Sequence, residues 1–167
     1  PSLTALTTYT QGLQDADRML GTLVDWVDSR EKPTVLIFYG DHLPTLGPSQ
    51  LAYNETGFVN SSDGLNAEER LKLYSTPFVI YSNRELSDAL LHSGSGNHIS
   101  AYNLFNSALM SIGCQQTPYM QLLGDFYQTT PFYNTVLNIP KTESISYYAR
   151  AMELIAYDRV LGKRWSS

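Results

Sequence analysis

An acid and an imidazole stand side by side at Asp41 and His42, directly after Gly40 and the apolar run Thr34-Val35-Leu36-Ile37-Phe38-Tyr39. A carboxylate oxygen and an imidazole nitrogen form a mixed donor set. It suits Zn²⁺ or Mn²⁺ better than Ca²⁺ or Mg²⁺, which prefer oxygen alone. The apolar run is bounded by Pro33 and Gly40 and does not alternate, so it predicts an inner strand covered on both faces. In open α/β sheets, ligands bind beyond the carboxyl ends of strands. Neighbours in a continuing strand point to opposite faces. Gly40, lacking a Cβ, is expected to let the chain turn so that both side chains reach one cation. The competing reading is a turn-forming aspartate beside a surface histidine.

Other chemistry-bearing residues have weaker settings. His98 closes the glycine-serine segment Ser93-Gly-Ser-Gly-Asn-His98, which lacks the lysine and the spacing of a phosphate-binding P-loop. On its own setting it reads as a histidine next to a helix start. His92 closes a helix-like stretch over 85–92 and suits a helix carboxyl end. Cys114 is the single cysteine, which excludes an internal disulfide and a Cys-based metal site. It is expected to be a small buried apolar residue. Tyr119, Tyr127, Tyr133, Tyr147 and Tyr148 fit either a sugar-binding groove or a half-buried core with wet hydroxyls. Arg159, Lys163 and Arg164 fit anion steering or a solvated helix end.

These groups need elements to hold them. Residues 9–28 predict an amphipathic helix with Leu13, Ala16, Leu20, Leu23, Val24 and Val27 on its buried face. After β-like residues 34–39, the stretch 43–66 reads as a long loop rich in Pro, Gly and Asn. Asn66 is expected to cap a helix over 67–74, with Glu68 and Glu69 in its first turn. A second covered strand is predicted at 77–81. A helix over 100–112 should bury Ala101, Leu104, Phe105, Ala108, Leu109 and Ile112, with Ser100 as its cap and Gly113 at its end. Further elements are expected at 118–127 (helix), 135–139 (edge strand) and 143–157 (helix, with Tyr148, Met152 and Ile155 inward). This order favours an α/β class with a parallel or mixed sheet between helices. Two strands would be only part of such a sheet.

Composition narrows the function classes. The 167 residues suit one domain, are 43% hydrophobic and 16% charged, and carry a net charge of −5. No basic cluster of the kind that nucleic acid requires is present. No apolar run approaches a membrane span, and no signal peptide is seen. A chain opening on Pro1 is expected to be a piece of a longer protein.

Four segments, in order, resemble the lipoteichoic acid synthase and phosphoglycerol transferase family, in the sulfatase branch of the alkaline-phosphatase superfamily. They are Tyr9–Gly21 (YTQGLQDADRMLG), Pro33–Gly47 (PTVLIFYGDHLPTLG), Tyr74–Asn83 (YSTPFVIYSN) and Tyr157–Trp165 (YDRVLGKRW). The resemblance implies that residues 1–167 are the carboxyl-terminal part of an alkaline-phosphatase/sulfatase-like α/β/α sandwich. It implies that Asp41 and His42 are two ligands of one catalytic divalent metal, manganese first, with zinc or magnesium as alternatives. A glutamate and a nucleophilic threonine would lie upstream, since no segment here matches the nucleophile motif. Thr4, Thr7, Thr8 and Thr10 are expected to precede the first helix and do not follow a buried strand. The parent enzyme would act on an anionic glycerophosphate or sulfate ester at the outer face of a bacterial membrane, to which it would be anchored. The piece alone would be soluble and inactive and would bind metal weakly. The resemblance also implies a role for His98 as a candidate substrate contact, or toward a second metal, since some members of the superfamily use a later histidine in that way. A sulfatase or phosphodiesterase using water, and a non-catalytic cell-wall-binding module on the same fold, are the competing readings.

Overall fold

The computed structural model describes residues 2–48, 51–60, 64–85, 98–134 and 142–165. His92, the glycine-serine stretch 93–97 and the strand expected at 135–139 lie outside the described residues. The chain forms two compact units, residues 1–86 and 87–167.

The first unit is built on α1 (Ser2–Asp28), β1 (Val35–Tyr39), α2 (Leu51–Glu55), α3 (Ala67–Leu73) and β2 (Phe78–Ser82). Helix α1 starts earlier than its apolar spacing suggests, because the threonines at 4, 7, 8 and 10 are accommodated inside it. The Thr7 hydroxyl, for example, bonds back to the Leu3 carbonyl at 2.9 Å. Ala16, Leu20, Leu23 and Val24 are half-buried and Val27 is buried, as the three-and-four spacing requires, but Leu13 is exposed. The amino-terminal turns use Ala5, Leu6 and Tyr9 instead, which pack on the core of Leu46, Ala52, Tyr53 and Val59. That core comes from the segment expected to be loop. Its few apolar residues, spaced too irregularly to read as an element, supply most of the buried side chains of this unit, and α2 sits among them.

Strands β1 and β2 pair antiparallel, with Val35 opposite Ser82, Ile37 opposite Ile80 and Tyr39 opposite Phe78. Of the parallel or mixed sheet expected, the described pair supplies an antiparallel pairing, which a mixed sheet admits. Length and apolarity of the runs do not encode direction, and here the connection through α2 and α3 returns the chain the opposite way. Nor is either strand covered on both faces: their residues are half-buried or exposed, with α1 packed against the pair. The apolar run therefore forecast the strand but not its cover.

One side chain ties these elements together. Asn83, just past β2, donates from Nδ2 to the carbonyls of Val27 (3.1 Å), Arg30 (2.8 Å) and Lys32 (3.1 Å), and its Oδ1 accepts from the Thr34 amide at 2.9 Å. It thereby satisfies the carboxyl end of α1 and the start of β1 together. The Tyr81 hydroxyl adds a 2.7 Å bond to Asp28, and that hydrogen bond raises the phenol above its ordinary pKa.

The second unit contains α4 (Ala101–Ser111), α5 (Pro118–Thr129) and α6 (Glu143–Val160). Phe126 is its centre, fully buried, with the rings of Tyr102, Tyr133 and Tyr148 at 5.8, 5.7 and 5.4 Å. Helix α6 turns Tyr148, Met152 and Ile155 inward as expected, and buries Ile145 as well. Helix α4 does not follow its apolar pattern. Leu104 and Ala108 are buried, but so are Asn103, Asn106, Ser107 and Ser111, while Ala101, Phe105 and Ile112 are exposed. The small and amide side chains face inward, and Asn106 bonds the Met120 carbonyl of α5 at 3.1 Å. Ser100 sits at the N-cap but its hydroxyl is engaged by the Tyr133 backbone, accepting from its amide at 2.7 Å. At the other end Gly113, with φ +72°, and Cys114 close a Schellman motif through bonds to Met110 and Leu109. That turn carries Cys114 out to solvent, which corrects its expected burial.

Replacing Asn83 with Ala should destabilise the protein by about 1–3 kcal/mol, because a half-buried amide and several carbonyls lose their partner together. Urea unfolding of the wild-type and variant proteins measures this. An unchanged midpoint would show that water replaces the amide without cost.

Candidate metal centre

Strand β1 delivers the site. Its pairing continues one residue beyond Tyr39: the Gly40 amide donates to the Pro77 carbonyl at 3.1 Å, and the Gly40 carbonyl accepts from the Thr76 hydroxyl at 2.7 Å. A Cβ on Gly40 would sit 3.0 Å from the Thr76 Cβ and 3.3 Å from its Cγ2. Glycine suits this close approach, since a larger residue would require Thr76 to give by a few tenths of an ångström. Its φ does not lie in the left-handed region, so the conformational freedom expected of it is not what the turn uses.

Beyond Gly40, Asp41 and His42 face each other. The Asp41 Oδ1 accepts from the His42 amide at 2.8 Å, which fixes the carboxylate on its own backbone. The other oxygen, Oδ2, lies 3.5 Å from His42 Nε2. His42 Nδ1 lies 3.0 Å from the Leu43 carbonyl. A carbonyl can only accept, so Nδ1 carries the hydrogen, and in the neutral ring Nε2 keeps its lone pair. An oxygen and a nitrogen lone pair are thus presented together. Both side chains are open to solvent, 78% exposed for His42 and 83% for Asp41, so neither is spent on a buried structural contact.

The turn is anchored at its far end as well. Leu43 packs on the Leu46–Tyr53 core, and the Tyr53 hydroxyl donates to the Pro44 carbonyl at 2.8 Å. Burial, and secondarily Tyr9, raise the Tyr53 pKa, so this donor keeps its proton. A cleft of about 270 Å³ opens beside the pair, walled by Leu65, Leu73, Tyr74 and Thr76. The Leu65 carbonyl accepts from Arg70 Nε at 3.0 Å, and the start of α3 beside it is held by Glu69. That residue completes a capping box with Asn66, as the spacing of the two residues allows, and also reaches the Asn60 amide at 2.6 Å. The Asn60 amide, then the Asn66 amide, hold the Glu69 carboxyl below the usual range.

Among the described residues no third His, Cys, Asp or Glu joins Asp41 and His42. His98 belongs to the second unit, half-buried with its ring 5.6 Å from that of Phe132. Of the tyrosines, Tyr127 is buried, and Tyr133 and Tyr148 form the aromatic core. The Arg159 guanidinium lies over the Tyr119 ring at 5.0 Å, and Lys163 over Trp165 at 5.8 Å. Gly162 packs on Asp158, where a Cβ would come 2.6 Å from the Asp158 Cα, which accounts for the aspartate and glycine spacing near the carboxyl end. Thr76, Tyr74 and Tyr53 were not singled out as site residues. The Thr76-Pro77 dipeptide at the head of a predicted strand was the available signal.

The Sulfatase family model matches residues 3–114, more than half of the chain, and this stretch contains the whole turn. The chain belongs to the Sulfatase family. A candidate cyclic β-1,2-glucan modification protein of Rhizobium meliloti is 27% identical over 178 residues, covering 97% of this chain and 26% of that protein. Among solved structures, the Streptococcus pyogenes phosphoglycerol transferase GacH, in complex with sn-glycerol-1-phosphate, superposes with a TM-score of 0.66. It shares 22% identity and is covered over 34% of its length by 92% of this chain. The Sulfatase-family chain therefore shares the α/β fold of the part of that transferase it matches, and spans about a third or less of these relatives. Among its described residues, no helix is long and apolar enough to cross a membrane.

Two outcomes follow for this Sulfatase-family site. Gly40→Ala should cost about 1–3 kcal/mol through overpacking against Thr76, seen as a lower melting temperature. An unchanged melting temperature would show that Thr76 yields freely. Because the folded Glu69 pKa is depressed, its contribution is fully present above the unfolded value of about 4.3. It is lost as pH falls through the lower folded value. Unfolding curves between pH 6 and about pH 2 should therefore show an acid-dependent loss that Glu69→Gln diminishes. Identical curves would contradict the assignment.

Proposed function

We propose that the intact protein is a metal-dependent transferase of the bacterial cell envelope that moves a phosphoglycerol group onto a carbohydrate hydroxyl. In this reading the chain contributes two of the metal ligands, Asp41 and His42. The observation that carries the proposal is the 3.5 Å separation of Asp41 Oδ2 and His42 Nε2 at the end of β1. Ligand distances of about 2.0–2.2 Å place neighbouring donors on one ion about 3.0–3.4 Å apart, so the pair fits a shared cation with little adjustment. Its mixed donors favour manganese or zinc over magnesium. Membership of the Sulfatase family, the fold shared with a phosphoglycerol transferase, and the glucan-modifying relative support the donor and acceptor classes.

A divalent ion bound here would supply positive charge for the oxygens of a phosphate ester. The chain's own residues do the rest of what this site offers. The Leu43 carbonyl holds the His42 proton on Nδ1, the His42 amide commits one Asp41 oxygen, and Leu65, Leu73 and Tyr74 give the cleft an apolar wall against which a glycerol or sugar ring can lie. Two ligands leave the remaining coordination positions to water or to upstream residues of the parent protein. The chain alone is accordingly expected to bind metal weakly and to lack turnover. The outer face of the membrane is the proposed location of the parent.

Calorimetric titration of the intact protein with manganese tests this reading. Asp41→Ala and His42→Ala should each weaken binding by at least about tenfold. Unchanged affinity in both would favour a non-catalytic wall-binding module. A parallel assay with a glycerophosphate donor and an oligoglucan should yield phosphoglycerol-substituted glucan. Release of the free phosphate ester alone would favour a hydrolase.

A further inference from the structure

The Gly40 peptide is gripped from one place. Thr76 and Pro77, consecutive residues leading into β2, take up its carbonyl and its amide respectively. Pro77 has no amide hydrogen to satisfy, which suits the first residue of a strand. A proline also drives the residue before it into the extended region, which limits the directions open to the Thr76 side chain. The threonine side chain is stiff about its first torsion as well. Its hydroxyl is thus a rigidly aimed donor, and its Cβ lies where a side chain on Gly40 would have to go. Thr76 also lines the cleft that holds Asp41 and His42.

We propose that Thr76 is a positioning residue for the metal ligands, its hydroxyl fixing the Gly40 carbonyl and so the direction in which Asp41 and His42 leave β1. The reasoning is geometric. Rotation about the Gly40 Cα–C bond swings the carbonyl and the chain beyond it together, so a donor that holds the carbonyl restricts the torsion that sets where Asp41 begins. Asp41 and His42 are otherwise exposed, and their contacts to each other and to Leu43 are local to the turn. Thr76 is the side chain from a distant part of the sequence that bonds to the peptide just before the pair. This inference rests on the reading of Asp41 and His42 as metal ligands.

The test compares manganese affinity, by electron paramagnetic resonance titration of the intact protein, in Thr76→Val, Thr76→Ser, Thr76→Ala and Asp41→Ala. Valine keeps the shape and removes the donor; serine keeps the donor and removes a methyl group; alanine supplies a second donor-free variant should valine fail to fold. Loss of a supporting hydrogen bond around a metal ligand typically costs about 10–100-fold in affinity. Thr76→Val and Thr76→Ala should therefore bind at least about tenfold more weakly, while Thr76→Ser stays within about twofold of wild type. Wild-type affinity in the two donor-free variants, with Asp41→Ala weakened, would overturn the positioning role and leave the metal reading standing. A lowered melting temperature with unchanged affinity would show a merely structural role and overturn it too. Wild-type affinity in Asp41→Ala would remove the metal reading and this inference with it.

Discussion

Both hydrogen-bonding groups of Gly40 are satisfied by the two residues that lead into β2, and the rest of the site depends on that grip. The ladder between β1 and β2 does not end at Tyr39 but runs on through the Pro77 carbonyl and the Thr76 hydroxyl. A strand end would otherwise fray within a residue or two, and exposed side chains there would sample many directions at an entropic cost to any ligand that needs one of them. Here the last fixed peptide lies immediately before the carboxylate. The packing that fixes it is close enough that a Cβ at position 40 would require Thr76 to give by a few tenths of an ångström.

The far side of the turn is held by different physics. Leu43 enters the apolar core made by Leu46, Ala52, Tyr53 and Val59, and Tyr53 adds a hydrogen bond to the next carbonyl. Asp41 and His42 thus lie between a backbone clamp on one side and a hydrophobic anchor on the other. Two exposed polar side chains with no burial of their own are placed by their neighbours, as functional groups on rigid scaffolds commonly are. Asn83 extends the same logic to the far end of the strands, where one amide closes the gap between α1 and β1.

What could be read from the sequence was what short-range chemistry specifies. The Asn66 cap with glutamates in its first turn is a local code, and it appears in the structure with Glu69 completing the box. The two apolar runs became strands within a residue of their expected limits, and Gly113 ended its helix with a positive φ. Other features depend on partners far along the chain. Strand direction was not legible, because an apolar run is the same in either direction. Nor was the inward face of α4, since Asn103, Asn106, Ser107 and Ser111 face in while Phe105 stays exposed. Periodicity counts apolar residues and overlooks small polar ones that let helices approach. The loop that held the core was missed for a related reason: Leu46, Tyr53 and Val59 follow no single period. Asp41 and His42 stand out as candidates because their chemistry is in the residue types themselves. Thr76 could not be ranked, because its importance lies in which carbonyl it meets.

Membership of the Sulfatase family gives these details a setting, and the chain spans 26% of its glucan-modifying relative and 34% of the transferase whose fold it shares. The proposed function requires one cation to be shared between neighbouring residues that a strand would normally point apart. A crystal of the intact protein grown with manganese, with diffraction collected at the manganese absorption edge, tests this most directly. An anomalous peak is expected within about 2.0–2.3 Å of both Asp41 Oδ2 and His42 Nε2. A peak that touches only one of them, or that lies elsewhere in the protein, would contradict it.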